Sequence, residues 1–466
     1  MNPMFDPSVY KARRDGLRQQ IASGIAVFLG NQEAPMNYPS NTYKYRQDSN
    51  FIYFFGLTAA NLAAIIDFDE NREILVGDNL EIDDIIWMGD QPTMRDLADK
   101  CAVAETMPMG KLADYIGEAM AKGRKVHFTP PYRDDNKITL SVMTGIPIPE
   151  LKKAASVELI KAIVKLRTTK EDRELEQMRL AGEIGYKMHT TVMRHCVEGV
   201  SERELAGMAE GISLSYGNGV SFPIILSQHG ETMHNHNHDA LLQKGKMLLM
   251  DAGAEGLMNY CSDNTRTMPV GGTFTPKQKD VYEIVLKANM DSIAAARAGV
   301  YNRDLHNNAC KIITDGLKAL GLMKGDTEEA VRLGAHALFM PHGLGHQLGL
   351  DVHDMEDLGE DYVGYDETVS RSPLFGTAYL RMARELKPGY VVTIEPGIYF
   401  VPQLIDIWKR ENKLADFICY DKVDEYRDFG GIRIEDDVLI TPTGHEILGP
   451  VIPKTVDELR DIIPSK

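Results

Sequence analysis

The chain has 466 residues, 43% apolar and 26% charged, the composition of a globular protein long enough for two or three domains. Its 68 acidic residues against 51 basic ones give a net charge of −17, which argues against a nucleic-acid footprint built on a basic face. Five scattered cysteines with no C-x-x-C pair read as reduced thiols and not as a disulfide framework. No run approaches the roughly 18 apolar residues of a membrane span, and MNPMFDPSVYKARRDGLRQQ lacks a signal-peptide core. A cytoplasmic location with no membrane partner is the expectation.

In chain order, residues 9–22 predict an amphipathic helix, and GIAVFL (24–29) and AAIIDF (63–68) predict short strands. Alternation of this kind up to about 150 indicates an N-terminal α/β domain. The boundary falls near 150–172. Ile146, Pro147, Ile148 and Pro149 should break regular structure there, followed by a linking helix at about 152–166. A long helix should start near 170 with Thr169 as N-cap, carrying Leu175, Met178, Ala181, Met188 and Val192 on its apolar face. Ser201 and Glu204 have capping-box spacing, and Pro276 suits a first helical position. KMLLMDAG (246–253), TRTMPV (265–270), YVVTIEPGIYF (390–400) and IRIEDDVLI (432–440) read as strands bounded by Gly and Pro. Helices separated from hairpin-connected strands predict an α+β catalytic part.

Four acids sit in these apolar strands or at their ends. Asp251 ends one strand, and Asp263 follows a turn at Gly256–Asn259 that can return it to face Asp251. Glu395 lies in TIEPG and Glu435 in RIEDD. A lone buried carboxylate costs several kcal/mol, so each must be paired, protonated or metal-bound. For any single acid a cap or an arginine pair remains the plainer reading. PHGLGHQLGLDVHD adds His342, His346 and His353, without the H-E-x-x-H zinc motif. ETMHNHNHD adds His234, His236 and His238, of which the last two read as a solvated strand edge. Four carboxylates and one imidazole suit Mn²⁺, Co²⁺, Fe²⁺ or Zn²⁺. Their charge matches two divalent ions, which at a separation of about 3.5–4 Å can deprotonate a shared water.

With these residues in place the sequence resembles the Xaa-Pro aminopeptidases (aminopeptidase P) of the pita-bread metallopeptidase family, which also holds prolidase. The carriers are DAGAE…YCSDNTRTMPVGGTFT, HGLGHQLGLDVHD, LKPGYVVTIEPGIY and GGIRIEDDVLIT in that order, with YRQDSNFIYFFGL (45–57) and RTTKEDRELEQMRLAGEI before them. The resemblance covers nearly the whole chain. It implies an α+β protein: a creatinase-like N-terminal α/β domain at 1–165 and a pita-bread catalytic domain at 166–466.

The resemblance further implies that Asp251, Asp263, His346, Glu395 and Glu435 ligate two divalent ions, with Mn²⁺ placed first and Co²⁺, Zn²⁺ or Fe²⁺ as the other candidates. Asp263 and Glu435 would bridge. Glu395 matches the general base for a hydroxide between the ions. His353 and His234 match substrate-contacting histidines, His342 a third active-site histidine, and Arg433 an arginine that fixes the ligating carboxylates. The implied partners are peptides beginning Xaa-Pro, and other copies of the chain in a dimer or tetramer. The Xaa-Pro bond has no N–H, which suits a site that binds the N-terminal amine and attacks the carbonyl. The alternatives are prolidase, which cuts Xaa-Pro dipeptides, and a non-catalytic pita-bread binding protein.

Some features depart from the family. Asp251 and Asp263 stand one residue farther apart than is usual, within the turn. The connections near 355–385 and 401–428 are long and are expected to rim the cleft or reach a partner subunit. Cys261 is expected to pack in its strand, and Trp87 to pack in the core or at an oligomer contact.

Overall fold

A computed structural model describes residues 4–465. Met1–Pro3, the start of the segment read above for a signal sequence, and Lys466 lie outside the described residues. The chain divides into two compact units. One comprises the residues up to Arg167 together with Met355–Tyr362; the other comprises Thr168–Asp354 and the residues from Val363 onward. Among the described residues no helix is long and apolar enough to cross a membrane.

The first unit opens with α1 (Pro7–Arg18), which starts earlier than the apolar pattern indicates because Asp6 caps it and Pro7 occupies its first turn. Its sheet contains β1 (Ile25–Leu29), β2 (Ala63–Asp67), β3 (Arg72–Val76), β4 (Glu105–Met107) and β5 (Val126–His127) in the order β4-β3-β2-β1-β5. The β1–β2 and β2–β3 pairs are antiparallel, whereas β3–β4 and β1–β5 are parallel. Ile25, Val27, Ile65, Ile74 and Val76 form its core with Leu112 and Ile116. Trp87 does not pack in that core: it is 86% exposed, beside exposed Ile82, Ile86 and Met88 on a short helix.

The Pro147–Pro149 stretch starts a helix instead of breaking one. Pro149 sits in the first turn of α2 (Ile148–Ala154), where its missing N–H breaks no hydrogen bond. The linking helix is therefore two helices, α2 and α3 (Val157–Thr168). The long helix α4 (Asp172–His195) is capped by Glu171 and not by Thr169, because Glu171 and Glu174 close a reciprocal capping box. It buries Leu175, Met178, Ala181, Met188 and Val192, as the spacing predicted. Ser201 caps α5 (Glu202–Tyr216), and Thr275 with Gln278 boxes the start of α6 (Pro276–Ala295). Next comes α7 (Asn302–Ala319).

These helices pack on three small sheets. β6 (Ile225–Ser227), β7 (Met247–Ala252) and β8 (Asn264–Pro269) form the first, ordered β8-β7-β6 and antiparallel. The other two arise because neither long predicted strand is continuous. The 390–400 segment gives β9 (Val391–Ile394) and β10 (Gly397–Tyr399), and the 432–440 segment gives β11 (Gly431–Arg433) and β12 (Asp436–Ile440). β12 pairs with β9 and with β13 (His445–Ile447), whereas β11 pairs with β10. Each chain thus changes sheet, one at Glu395-Pro396 and the other at Ile434-Glu435.

Candidate metal centre

The β7–β8 hairpin keeps one register from Met247–Pro269 to the Glu255–Cys261 bridge. It closes through a three-residue loop, with Gly256 N–H bonded to the Tyr260 carbonyl at 2.8 Å and Asn259 at φ +67°. Three-residue hairpins of this kind place one left-handed residue before the second strand, and asparagine tolerates that conformation. In this register Asp251 faces Thr265, and Asp263 falls opposite Gly253. Strand alternation puts Asp251, Gly253, Asp263 and Thr265 on one side. The longer spacing is therefore absorbed in the turn. A Cβ on Gly253 would lie 1.8 Å from the Ser262 carbonyl oxygen, so only glycine fits between the aspartates.

The two sheet changes present Glu395 and Glu435 to the same place. Oxygens of Asp263 and Glu435 and a ring nitrogen of His346 lie within 4.8 Å of one another. His346 Nε2 is 3.3 Å from Asp263 Oδ2 and 3.7 Å from Glu395 Oε1. His346 Nδ1 faces the Gln347 carbonyl at 3.0 Å, an acceptor only, so the neutral ring carries its proton there and turns the Nε2 lone pair toward the acids. The glycine-rich loop allows this approach: a Cβ on Gly345 would sit 1.9 Å from the Thr393 carbonyl oxygen.

Asp251, Asp263, His346 and Glu435 are buried, and Glu395 is partly so. Burial, then the charge of Asp251, pushes the Asp263 carboxyl well above the usual range. Burial, then the charge of Asp263, does the same to Glu435. Burial works upward on Glu395 too, but His346, His342 and Arg433 outweigh it and hold the group below its ordinary value. Asp251 Oδ1 and Asp263 Oδ1 are buried without a hydrogen-bond partner. Orphaned carboxylate oxygens of this kind call for a cation. The donor set, its mutual repulsion and its two unmet oxygens fit divalent metal.

A buried arginine ties the set together. Arg433 Nη2 donates to Asp251 Oδ2 at 2.5 Å, Nε to Thr265 Oγ1 at 3.0 Å and Nη1 to the Tyr399 hydroxyl at 2.9 Å. Thr265, having accepted from Arg433, donates to Glu435 Oε2 at 2.7 Å. Proton placement along the other branch is fixed by its end. His342 Nδ1 donates to the Gly343 carbonyl, so Nε2 accepts from the Tyr399 hydroxyl at 3.1 Å. Burial raises the Tyr399 phenol to about 12 and lowers His342, which keeps the first protonated and the second neutral. Both ring nitrogens of His342 are thus engaged.

Farther out, Asn289 donates to the Ile394 carbonyl at 3.0 Å and to the Ile434 carbonyl at 3.2 Å, the residues directly before the two glutamates. Asp437 Oδ2 accepts the Asp263 backbone N–H at 3.0 Å. Thr265, Tyr399, Asn289 and Asp437 are additions to the residues read from the sequence. Thr265 and Tyr399 each lie an even number of positions from a candidate acid, a signal that period-two reasoning can find.

The acids floor a cavity of about 250 Å³ whose wall includes His234, His236, His342, His353, Tyr379 and Arg381. The His353 ring sits edge-on to His346, with centroids 4.3 Å apart. The three alternating histidines are not on a strand. His238 Nδ1 bonds the Leu226 carbonyl at 2.9 Å, and His236 is exposed, as expected, while also lining the cavity beside His234. From the first long connection Tyr379 and Arg381 line the cavity; the second, 401–428, contributes no lining residue. Cys261 is buried, and all five cysteines are free thiols.

Residues 10–127 match the aminopeptidase P N-terminal domain, and residues 176–442 match metallopeptidase family M24. The human Xaa-Pro dipeptidase is 33% identical over 94% of this chain and 88% of its own length. A probable Xaa-Pro aminopeptidase of Fusarium vanettenii is 32% identical over 98% and 96%. Pseudomonas aeruginosa aminopeptidase PepP superposes with a TM-score of 0.80 at 27% identity, covering 99% of this chain and 98% of that one. Escherichia coli aminopeptidase P with the inhibitor Pro-Leu gives 0.80 at 27%, covering 99% of each chain. Fold and site together define a two-domain pita-bread metallohydrolase, with an aminopeptidase P N-terminal domain before the catalytic one. The chain belongs to metallopeptidase family M24, in the group of Xaa-Pro aminopeptidases and dipeptidases.

Proposed function

We propose that this protein is an Xaa-Pro aminopeptidase that removes the first residue from peptides with proline second. Residues 166–466 form its catalytic domain, after an N-terminal domain at 1–165. Asp251, Asp263, His346, Glu395 and Glu435 would hold two divalent ions, Mn²⁺ foremost. The carrying observation is the convergence of Asp263, His346 and Glu435, with Glu395 3.7 Å from His346, and the two buried, unpartnered carboxylate oxygens of Asp251 and Asp263. When bound, the ions supply positive charge against the developing oxyanion and lower the pKa of water.

The remaining work belongs to the chain. Glu395 would take a proton from water at the cavity floor, a role supported by its being the least buried of the acids and the one held below its ordinary pKa. His234 and His353 would contact the substrate carbonyl, a role supported by their position on the cavity wall. Arg433 holds Asp251 directly and Glu435 through Thr265, and its Tyr399 branch fixes His342.

A second reading has one observation in its favour. Arg381 brings a guanidinium to the cavity wall, where it could pair with the carboxylate of a dipeptide. That would make the protein an Xaa-Pro dipeptidase. Rates on Gly-Pro and Gly-Pro-Ala, for wild type and Arg381→Ala, separate the two. An aminopeptidase cleaves the tripeptide faster, and Arg381→Ala affects both substrates alike. Selective loss of dipeptide cleavage would instead establish the second reading. A homo-oligomer of two or four chains accompanies the proposal, supported by the exposed Ile82, Ile86, Trp87 and Met88. Light scattering that gave a monomer would remove it.

A further inference from the structure

Outside the carboxylate centre, three side chains that can ligate metal meet in the interior of the catalytic unit. His306 and Cys310 lie four residues apart on α7, so both point from one face of the helix. His336 arrives from the short 3₁₀ helix Ala335–Leu338, which follows a turn at Gly334 with φ +82°. One ligand atom from each lies within 4.8 Å of the other two. Cys310 Sγ is 3.6 Å from His306 Nε2. Ligands held at about 2.0–2.3 Å from a tetrahedral ion stand about 3.3–3.8 Å apart, a separation that Cys310 Sγ and His306 Nε2 already have, so a closure of at most about 1 Å by His336 would complete the site.

His306 and Cys310 are fully buried and His336 is 1% exposed. Neither ring nitrogen of His336 has a hydrogen-bond partner. A neutral imidazole carries one donor and one acceptor, and leaving both unmet in the interior is unfavourable. Burial lowers His306 to about 3 and His336 to about 4, so both rings are neutral and each has a lone pair to give. The hydrolytic centre uses none of the three.

We propose that His306, Cys310 and His336 form a second metal site, which takes a soft ion of the Zn²⁺ or Cu⁺ kind through two imidazoles and one thiolate. The donor class sets it apart from the carboxylate centre: thiolate selects soft ions, whereas the carboxylates suit harder ones. Binding replaces the S–H bond of Cys310 with a metal–sulfur bond and releases that proton to solvent; no electrons change hands. The ion would pin α7 to the segment that leads from His336 to His342. Its role is therefore structural.

The test uses full-length enzyme expressed in cobalt-supplemented medium. Wild type should show a near-ultraviolet thiolate-to-Co²⁺ charge-transfer band. Cys310→Ala should lose the band and one equivalent of metal per chain while still cleaving Xaa-Pro peptides, and Cys261→Ala should keep the band. No band in wild type, or a band that survives Cys310→Ala, would overturn the site. A measurement without variants guards against misfolding: crystals of wild type grown with Zn²⁺ or Cu⁺, examined at the corresponding absorption edge. An anomalous peak bonded to Cys310 Sγ supports the site; peaks confined to the carboxylate centre, or none, refute it.

Discussion

Replacing Asn289 with alanine should loosen two candidate ligands at once. The fully buried Asn289 amide ties the carbonyls of Ile394 and Ile434, each one residue before a glutamate. Its Oδ1 accepts from Lys454 Nζ at 2.8 Å, and Lys454 in turn pairs with Asp436. The variant strands two buried carbonyls and takes one partner from a buried ammonium. At about 1–3 kcal/mol for each unmet group, reduced where water enters the space left, the loss should be about 3–5 kcal/mol. Supporting residues around metal ligands are typically worth about 10–100-fold in metal affinity, and a drop in that range is expected here. Urea unfolding reads the first effect. Metal titration of the folded variant, followed by Xaa-Pro hydrolysis, reads the second. A variant destabilised by this amount with unchanged metal affinity would refute the clamp and leave Asn289 a core residue only.

Arg433→Lys keeps the charge beside Asp251 but not the fork to Thr265 and Tyr399; kcat/KM should fall about 10–100-fold, and near-wild-type activity would contradict the assigned geometry. Gly345→Ala forces a Cβ against the Thr393 carbonyl, so metal content after purification should drop sharply; full occupancy would show that the loop can yield. Stability should also fall with acid. Burial depresses His189 to about 4 from its ordinary 6.5. Between those values the unfolded chain binds the extra proton, so stability is complete above about pH 6.5 and is lost as pH falls toward 4. The span amounts to about 3 kcal/mol. Thermal melts across pH 4–7 check it: replacement of His189 by a neutral isostere should reduce the slope by that share, and buried His306 and His336 supply the slope that remains.

The residues that needed only local rules were legible in the sequence. The face of α4, the strand around Asp251 and the hairpin to Asp263 follow from periodicity and turn chemistry. The breaks at Glu395 and Glu435 were not, because VVTIEPGIYF and IRIEDDVLI each have continuous strand character. What splits them is a choice of partner, since β9 and β12 pair in one sheet and β10 and β11 in another. Thr169 lost the helix cap to Glu171 for a local reason, a reciprocal bond with Glu174 that the spacing alone did not single out. The candidate ligands were read from ordered motifs; Asp437, two residues after Glu435, shares the period-two signal, but Asn289 has no spacing relation to them and becomes visible only as a contact. Trp87 marks the opposite error: a large aromatic residue invites a core reading, yet its helix leaves it outside.

The most direct measurement is proline-specific cleavage by chelated enzyme before and after metal return. The stripped protein should be inactive toward Gly-Pro-Ala, and Mn²⁺ should restore activity as about two equivalents bind. Asp263→Asn and Glu435→Gln should remain folded and inactive whatever ion is added. Cleavage that persists without metal, or that survives in those variants, would contradict a reaction carried by the Asp251, Asp263, His346, Glu395 and Glu435 cluster.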